Sequence, residues 1–490
     1  MSSALNRREL LGAASAGLAA SAVGRRAGFG ATQKICASPF SFEKAKVLRV
    51  FMGRSCGWPR PDLDVKTEAQ RLGTDLDAIA GQEDIEYVGN DIIADAAGMQ
   101  AAMERHPDTA GILAVQMCLG TSPMINAMAQ SGRPSIIFAT PYSGHEWSII
   151  GDLQRNGQRI DVIPSSDFAD VLKAVRVFRA INRLRQTKVL FVGGPSWTPQ
   201  ADYLADIEKK FGTQVVVYDH RKLVEAYDAV PAAAVEADAL KWTKNAQRVR
   251  EPSPEEISKS ARFCLALQKV LADEKAFAIT INCLGLFGQK ALPAYPCFGF
   301  SRLNDLGLVG VCEADLPSTM TQIIFQHMEG VPGFVTDPVF DTSKDCLIHA
   351  HCVSATKMDG PCEPAAPYEI RTHLEDHAGA VLQVKMRMGQ EITMAKLVGS
   401  IPPGLASPSL AASPVESWGA NILLLSTGKI VEIPDVDRGC RTKVTVKVAD
   451  ARKMLQKWSN GLHRVIFYGN HVEDTYRLAR MTGLDVFEEC

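Results

Sequence analysis

The chain has 490 residues, of which 46% are hydrophobic and 22% charged, and its formal net charge is −2. That composition belongs to a globular protein of two or three domains and excludes a low-complexity chain. The near-neutral charge gives no electrostatic footprint for a nucleic-acid partner, and no run of about 18 strongly apolar residues offers stable membrane insertion.

The first residues differ from the rest. Asn6-Arg7-Arg8-Glu9-Leu10-Leu11 sets an arginine pair before an uncharged run, 10–23, made mostly of Ala, Gly and Ser, and Arg25-Arg26 follows. This resembles a twin-arginine export signal, which implies removal of residues 1–31 and a periplasmic or exported protein. A cytoplasmic location holds if the segment is not a signal. The segment carries four Arg and one Glu, so its removal takes the formal charge to −5.

From residue 45 short apolar runs alternate with helical stretches. Runs at 47–52, 85–88, 111–115 and 135–138 are separated by helix-like segments. Near-continuous apolar strands in this alternation mean a parallel sheet covered on both faces, here over 45–160. A long helical stretch at 166–186 leads to a second series, with strands at 188–192, 214–218 and 276–281 and helical residues over 232–273 broken by Pro252 and Pro254. This predicts a second doubly wound domain over 161–355. Beyond it a Pro-rich loop at 361–367 precedes β-like runs at 380–388, 391–398, 422–426 and 443–448, with Gly389-Gln390 and Thr427-Gly428 as hairpin turns and a Pro/Ser-rich loop at 401–414. The expectation for 356–490 is a smaller antiparallel β-rich domain that closes with helix, strand and helix. The fold class is therefore α/β, two doubly wound parallel-sheet domains followed by the β-rich one.

Twelve cysteines are scattered without a CxxC, a spacing that fits buried thiols better than a disulfide framework or a zinc site. Gly193-Gly194-Pro195 ends a strand but lacks GxGxxG spacing, so no dinucleotide site is expected. Trp58, Trp147 and Trp197 offer faces for stacking on sugars, with packing the simpler reading of each.

In open parallel sheets ligands bind beyond the carboxyl ends of the strands. Gly310-Val311-Cys312-Glu313-Ala314-Asp315-Leu316-Pro317-Ser318 puts Glu313 just past one apolar strand, with Asp315 and Ser318 placed to cap the next helix. Gly333-Phe334-Val335-Thr336-Asp337-Pro338 puts Asp337 at the end of a second, and Cys346-Leu347-Ile348-His349-Ala350-His351-Cys352 adds a histidine pair on a third. Three successive strands thus deliver two acids and the histidines toward one rim. Acids at strand ends also serve as helix caps and loop solvation. As a site, two carboxylates and an imidazole hold a hard or borderline divalent metal, and one carboxylate can move a proton.

The stretch Asn304-Asp305-Leu306-Gly307-Leu308-Val309-Gly310-Val311-Cys312-Glu313-Ala314-Asp315, with its spacing to Thr336-Asp337-Pro338 and His351-Cys352, resembles the metal-site segment of the L-fucose/L-arabinose isomerase family, in its fucose isomerase-like branch. The resemblance implies that Glu313 and Asp337 bind Mn²⁺, or another divalent metal, and act as the acid/base pair of aldose–ketose interconversion on a monosaccharide through an enediol. A C-terminal histidine completes the metal site. Within Leu462-His463-Arg464-Val465-Ile466-Phe467-Tyr468-Gly469-Asn470-His471, His463 is favoured over His471, and Leu462 stands where that branch has Asn. The resemblance also implies a trimer or hexamer. Candidate substrate-binding residues are His351, Gln289 and Arg54, the last matching an arginine that in the family reaches substrate across a subunit boundary. Lys290, the loop 293–298, His373 and His377 are further candidates for the cleft. Two α/β domains on an exported chain equally describe a sugar-binding protein without turnover; the acid pair and the distant His463 favour the enzyme.

Overall fold

In the computed structural model, residues 39–80, 83–195, 197–199, 201–399 and 420–490 are described. The arginine-pair segment and the 401–414 loop lie outside them. No helix among the described residues is long and apolar enough to cross a membrane.

The first sheet is formed by β1 (Ala45–Met52), β2 (Ile85–Ile93), β3 (Gly111–Gln116), β4 (Ser135–Ala139) and β5 (Ile160–Pro164), all parallel, in the order β2-β1-β3-β4-β5. The continuous apolar runs have a direct cause. Val47, Phe51, Leu113, Val115, Ile136 and Phe138 pack into one core, while Leu48, Val50, Met52, Ile112, Ala114 and Ile137 pack into another. Alternate side chains of a strand face opposite sides, so helices on both faces leave no polar position. The fifth strand was not expected from the sequence, because Asp161 and Pro164 break its apolar pattern. Asp161 is instead paired with Arg477 and Arg480 of the helix Val472–Thr482, and Pro164 ends an edge strand, where a missing N–H is tolerated.

The second sheet contains β6 (Lys188–Val192) and β7 (Gln214–Val217); β8 (Arg248–Val249) leaves it, and β9 (Ala278–Ile281) and β10 (Val309–Cys312) complete it in the parallel order β10-β9-β6-β7. Gly310 lies directly on the helix Cys297–Asp305, where an added Cβ would stand 2.8 Å from Phe300 Cα. Only glycine permits that approach. β10, which Glu313 follows, is an edge strand of this sheet.

The chain then crosses through the helix Leu316–Glu329, which is buried on nearly all sides. Its buried polar side chains, among them Ser318, Thr319, Thr321 and Gln322, are enclosed with the apolar ones, and the helix connects the parallel sheet to a barrel. Strands β11 (Phe334–Asp341) and β12 (Cys346–His351) open the barrel, the short β13 (Tyr368–Arg371) and β14 (Val381–Val384) form a side sheet with β8, and β15 (Glu391–Val398), β16 (Ile422–Glu432), β17 (Thr442–Lys447) and β18 (Arg464–Tyr468) complete it. The order β15-β18-β11-β12-β17-β16 closes through β15–β16 pairing, and β19 (Asp485–Glu488) adds to β16 in parallel. Phe334, Leu347, Ile392, Met394, Val444, Val446 and Ile466 share one core on one face. Val335, Ala395, Leu397, Leu423, Val465 and Phe467 belong to the main core on the other, where Phe467 stacks on Phe325 of the buried helix at 4.0 Å.

Two expectations change here. The strands of Asp337 and His351 are not successors of β10 in one parallel sheet; they are antiparallel members of the barrel. Thr427-Gly428 is not a turn but lies within β16, opposite Thr393 and Ile392. A Cβ on Gly428 would come within 2.4 Å of Val446 Cγ1 and 2.8 Å of the Lys447 carbonyl oxygen, so the glycine serves close strand approach.

Candidate active site

β10 ends at Cys312, and Glu313 and Ala314 follow with φ of 64° and 52°. Left-handed backbone at non-glycine residues costs roughly 1–3 kcal/mol each and persists only where the surroundings impose it. Here the Ala314 N–H is held by the Ile281 carbonyl at 3.0 Å. Asp315 then caps the buried helix, with Oδ1 accepting from the Ser318 N–H at 3.0 Å and Oδ2 from the Ser318 hydroxyl at 2.5 Å. The strained pair sets Glu313 just outside the sheet while Asp315 points into the protein.

Strand register supplies the other members. Asp337 lies opposite Ala350 on β12, and Thr336 lies opposite Arg464 on β18. The residues next in line, His351 and His463, therefore flank Asp337 on its two sides. His463 Nε2 is 3.0 Å from Asp337 Oδ1 and 3.6 Å from Glu313 Oε2. His351 Nε2 is 3.7 Å from Glu313 Oε1 and 4.0 Å from Asp337 Oδ2. Glu313, His351 and His463 each present a donor atom within 4.8 Å of the other two. The imidazoles are buried and the carboxylates are about one-third exposed, so the cluster is open to a small molecule from the acid side.

The two imidazoles differ in what they present. His463 Nδ1 is 2.7 Å from Asp315 Oδ2. Burial raises the Asp315 carboxyl, but the His463 hydrogen bond and the charges of Lys396 and His463 hold it well below the usual carboxylate range. An ionised carboxylate only accepts, so Nδ1–H donates to Asp315, and Nε2 faces Asp337 and Glu313, where a bound cation would take the place of its proton. His351 has the opposite arrangement: its Nδ1 accepts from the Val353 N–H at 3.4 Å, which leaves the proton on Nε2. That buried Nε2 has no hydrogen-bond partner among the described residues. Burial works against a charged His463, yet Asp315 and Asp337 push it up to about 10. Asp337 is raised by burial and pulled lower overall by His463 and His351. The site thus carries excess negative charge that attracts a cation.

The donors fit a divalent ion. Glu313 Oε2, Asp337 Oδ1 and Nε2 of His463, once it gives up its proton, form an O₂N set of hard and borderline character, and ligands bound at roughly 2 Å to one ion lie about 3 Å apart. Asp315 has the position of a carboxylate that orients a ligating imidazole. Asp315→Asn should keep the helix cap, since Asn caps as well as Asp. With its oxygen kept on the cap, its NH₂ would face His463 Nδ1 and drive the ring to the other tautomer. The expected result is a Mn²⁺ affinity lower by about 10- to 100-fold with an unchanged melting temperature. An unaltered titration would show that Asp315 acts only as a cap.

The other histidines and the remaining candidates have surroundings of their own. His349 is buried against the Thr336 hydroxyl at 2.8 Å, with its pKa lowered to about 3 by burial and by Arg464; it is a neutral interior group, so only one of the histidine pair joins the acids. His471 faces Glu329 and Asp474. Gln289 is exposed at the C-cap of the helix Cys283–Gly288. Arg54 follows β1 and reaches the Gly120 carbonyl at 3.5 Å; within this chain it belongs to the first sheet. Trp147 and Trp197 are exposed, and Trp58 packs on His145. The partnership of Asp315 with His463 was not foreseen: its sequence signal, an acid two residues past Glu313, was read only as a cap.

A chain of this fold, with water-accessible carboxylates against two oriented imidazoles, is equipped for acid–base chemistry. Comparison with known proteins points the same way. No family model matches the sequence. Relatives from Priestia aryabhattai and Priestia megaterium are each 21% identical over 327 residues, which is 64% of this chain and 67% of theirs. A relative from a Clostridium species is 23% identical over 290 residues, 56% of this chain and 58% of its own. All three are named sulfoquinovose isomerase, in agreement with the sugar isomerase expected from the sequence.

Proposed function

We propose that this chain is an aldose–ketose isomerase that acts on a monosaccharide with the aid of a divalent metal, in the manner of the L-fucose/L-arabinose isomerase family. The observation that carries the reading is the meeting of Glu313, Asp337 and a tautomer-fixed His463 with the unpartnered Nε2–H of His351. Glu313, Asp337 and His463 would hold the ion, for which Mn²⁺ is the first candidate. When bound, the ion supplies positive charge that polarises the sugar carbonyl and stabilises the enediolate.

The residues do the rest. One of the two carboxylates removes the proton from C2 of the open-chain aldose as O1 becomes protonated, giving the enediol. The resulting carboxylic acid, which can exchange its proton with solvent, delivers a proton to C1 as the O2 hydroxyl loses its own, and the ketose results. The His351 Nε2–H is placed to donate to a sugar oxygen, which would satisfy an otherwise orphaned buried donor. The burial of both rings and their fixed hydrogen bonds keep this geometry in place before substrate arrives.

The test is incubation of the full chain with Mn²⁺ and a panel of aldoses in deuterated water, with sulfoquinovose included because the relatives bear its name. Ketose formation and deuterium incorporation at carbon are the expected results. Tight binding of a sugar with neither conversion nor exchange would overturn the proposal and identify a sugar-binding protein.

A further inference from the structure

A second cluster of ligand-type side chains lies beside the first, and its chemistry is different. Cys352 follows His351 at the end of β12, His373 and Glu375 lie in the loop after β13, and Cys440 lies just before β17. Donor atoms of Cys352, His373 and Glu375 are all within 4.8 Å of one another. Cys440 joins them on two sides: its sulfur is 3.1 Å from Glu375 Oε1 and is in hydrogen-bonding contact with the thiol of Cys352. Both cysteines are free thiols. Four donors from three separate segments therefore converge on one point.

We propose that Cys352, Cys440, His373 and Glu375 form a second metal site, selective for a thiophilic divalent ion of the zinc class. Two thiolates, an imidazole and a carboxylate are a tetrahedral donor set of the kind zinc takes, and the sulfurs set it apart from the oxygen-rich set at Glu313. The surroundings hold the imidazole in place. His373 Nδ1 is on the Glu375 side, 3.6 Å from Oε2, and Nε2 is 3.1 Å from the buried Cys297 sulfur. Ligation through Nδ1 leaves Nε2–H to donate to Cys297, the outer-shell bond that ligating histidines almost always make. The Tyr295 ring lies against His373 at 4.1 Å, and its hydroxyl donates to Asp376 at 2.6 Å, which fixes the loop. Glu375 is exposed and Cys440 partly so, which gives an ion a way in. The bound ion would tie the 372–378 loop to the strand that carries His351.

The test uses the full-length protein, purified under reducing conditions without chelator and then loaded with Co²⁺. Thiolate-to-cobalt charge-transfer absorption is expected in the wild type and in Glu313→Gln, because the sulfur site does not depend on the acid–histidine site. Cys440→Ser, a near-isosteric change at a partly exposed position, should lose most of that absorption and bind zinc at least about tenfold more weakly, with its circular dichroism unchanged. Cobalt binding without charge-transfer absorption in the wild type would overturn the proposal. Unaltered absorption in Cys440→Ser, or a Cys352–Cys440 disulfide found by peptide mapping of untreated protein, would do the same.

Discussion

Glu313→Gln and Asp337→Asn are each expected to abolish measurable isomerisation while leaving the fold intact. Both changes keep shape and remove charge. Both side chains are about one-third exposed and face the two imidazoles, so neither neutral form leaves a buried ion without its partner. The cost falls on function in two ways. A carboxylate that moves the proton between C2 and C1 contributes about 10²- to 10⁴-fold to the rate, and an amide cannot take its place. Each variant also gives up one anionic oxygen of a three-donor set, so Mn²⁺ binding should weaken in parallel. Rate measured at saturating Mn²⁺ and metal affinity measured by titration separate the two losses. A variant that regains its rate at high Mn²⁺ would be a ligand only, leaving the other acid as the proton carrier. Wild-type turnover in both would reject the site.

The parts of this site that were legible in the sequence are those set by local rules. Glu313 does lie just past the apolar run that forms β10, whereas Asp337, expected at the end of its strand, lies within β11, which runs on to Asp341. The sheet to which a run belongs was not legible. Val309–Cys312 and the start of Phe334–Asp341 both read as short apolar runs, yet one is a parallel edge strand and the other lies between two antiparallel partners. Burial on both faces makes any strand uniformly apolar, and the partner that decides the matter, β18, lies more than a hundred residues downstream. Asp161 shows the same limit from the other side. Its charge hides β5 from a periodicity reading, and the arginines that neutralise it, Arg477 and Arg480, are near the end of the chain.

Cysteine spacing had the same blindness. No short-range pair of thiols marks a metal site, and the expectation of buried thiols holds for Cys283, Cys297, Cys312 and Cys352, whereas Cys362 is disulfide-bonded. Cys352 and Cys440 meet because β12 and β17 pair antiparallel, with His351 opposite Thr442. A motif built by strand register leaves no trace in spacing along the chain. The tautomers of His351 and His463 are likewise tertiary properties, set by Val353 and Asp315.

Glu489→Ala is expected to produce the largest loss of stability. Arg464 opens β18 with its side chain fully buried, and Glu489 is 1% exposed beside it. The pair is bidentate, with Nε to Oε2 at 2.9 Å and an NH₂ group to Oε1 at 2.6 Å. Remaining guanidinium protons go to the carbonyls of His463 and Ser459, and the Trp458 ring lies 3.8 Å from the cation. Removal of the acid leaves this cation buried without a counter-ion, a change that costs about 3–5 kcal/mol. The double substitution Arg464→Met with Glu489→Leu should recover most of the loss, because replacing both charges removes the desolvation penalty along with the attraction. The effect should also reach the site: Arg464 holds the His463 carbonyl at 3.0 Å, so a loosened guanidinium lets the histidine shift, and Mn²⁺ affinity should fall in Glu489→Ala. Thermal melts of the three proteins, read with Mn²⁺ titrations, decide the matter. A drop of several degrees in Glu489→Ala that the double variant reverses is the expected pattern. A melting temperature within a degree of the wild type would mean that water or a neighbouring group compensates Arg464, and that the strand start beside His463 does not depend on this pair.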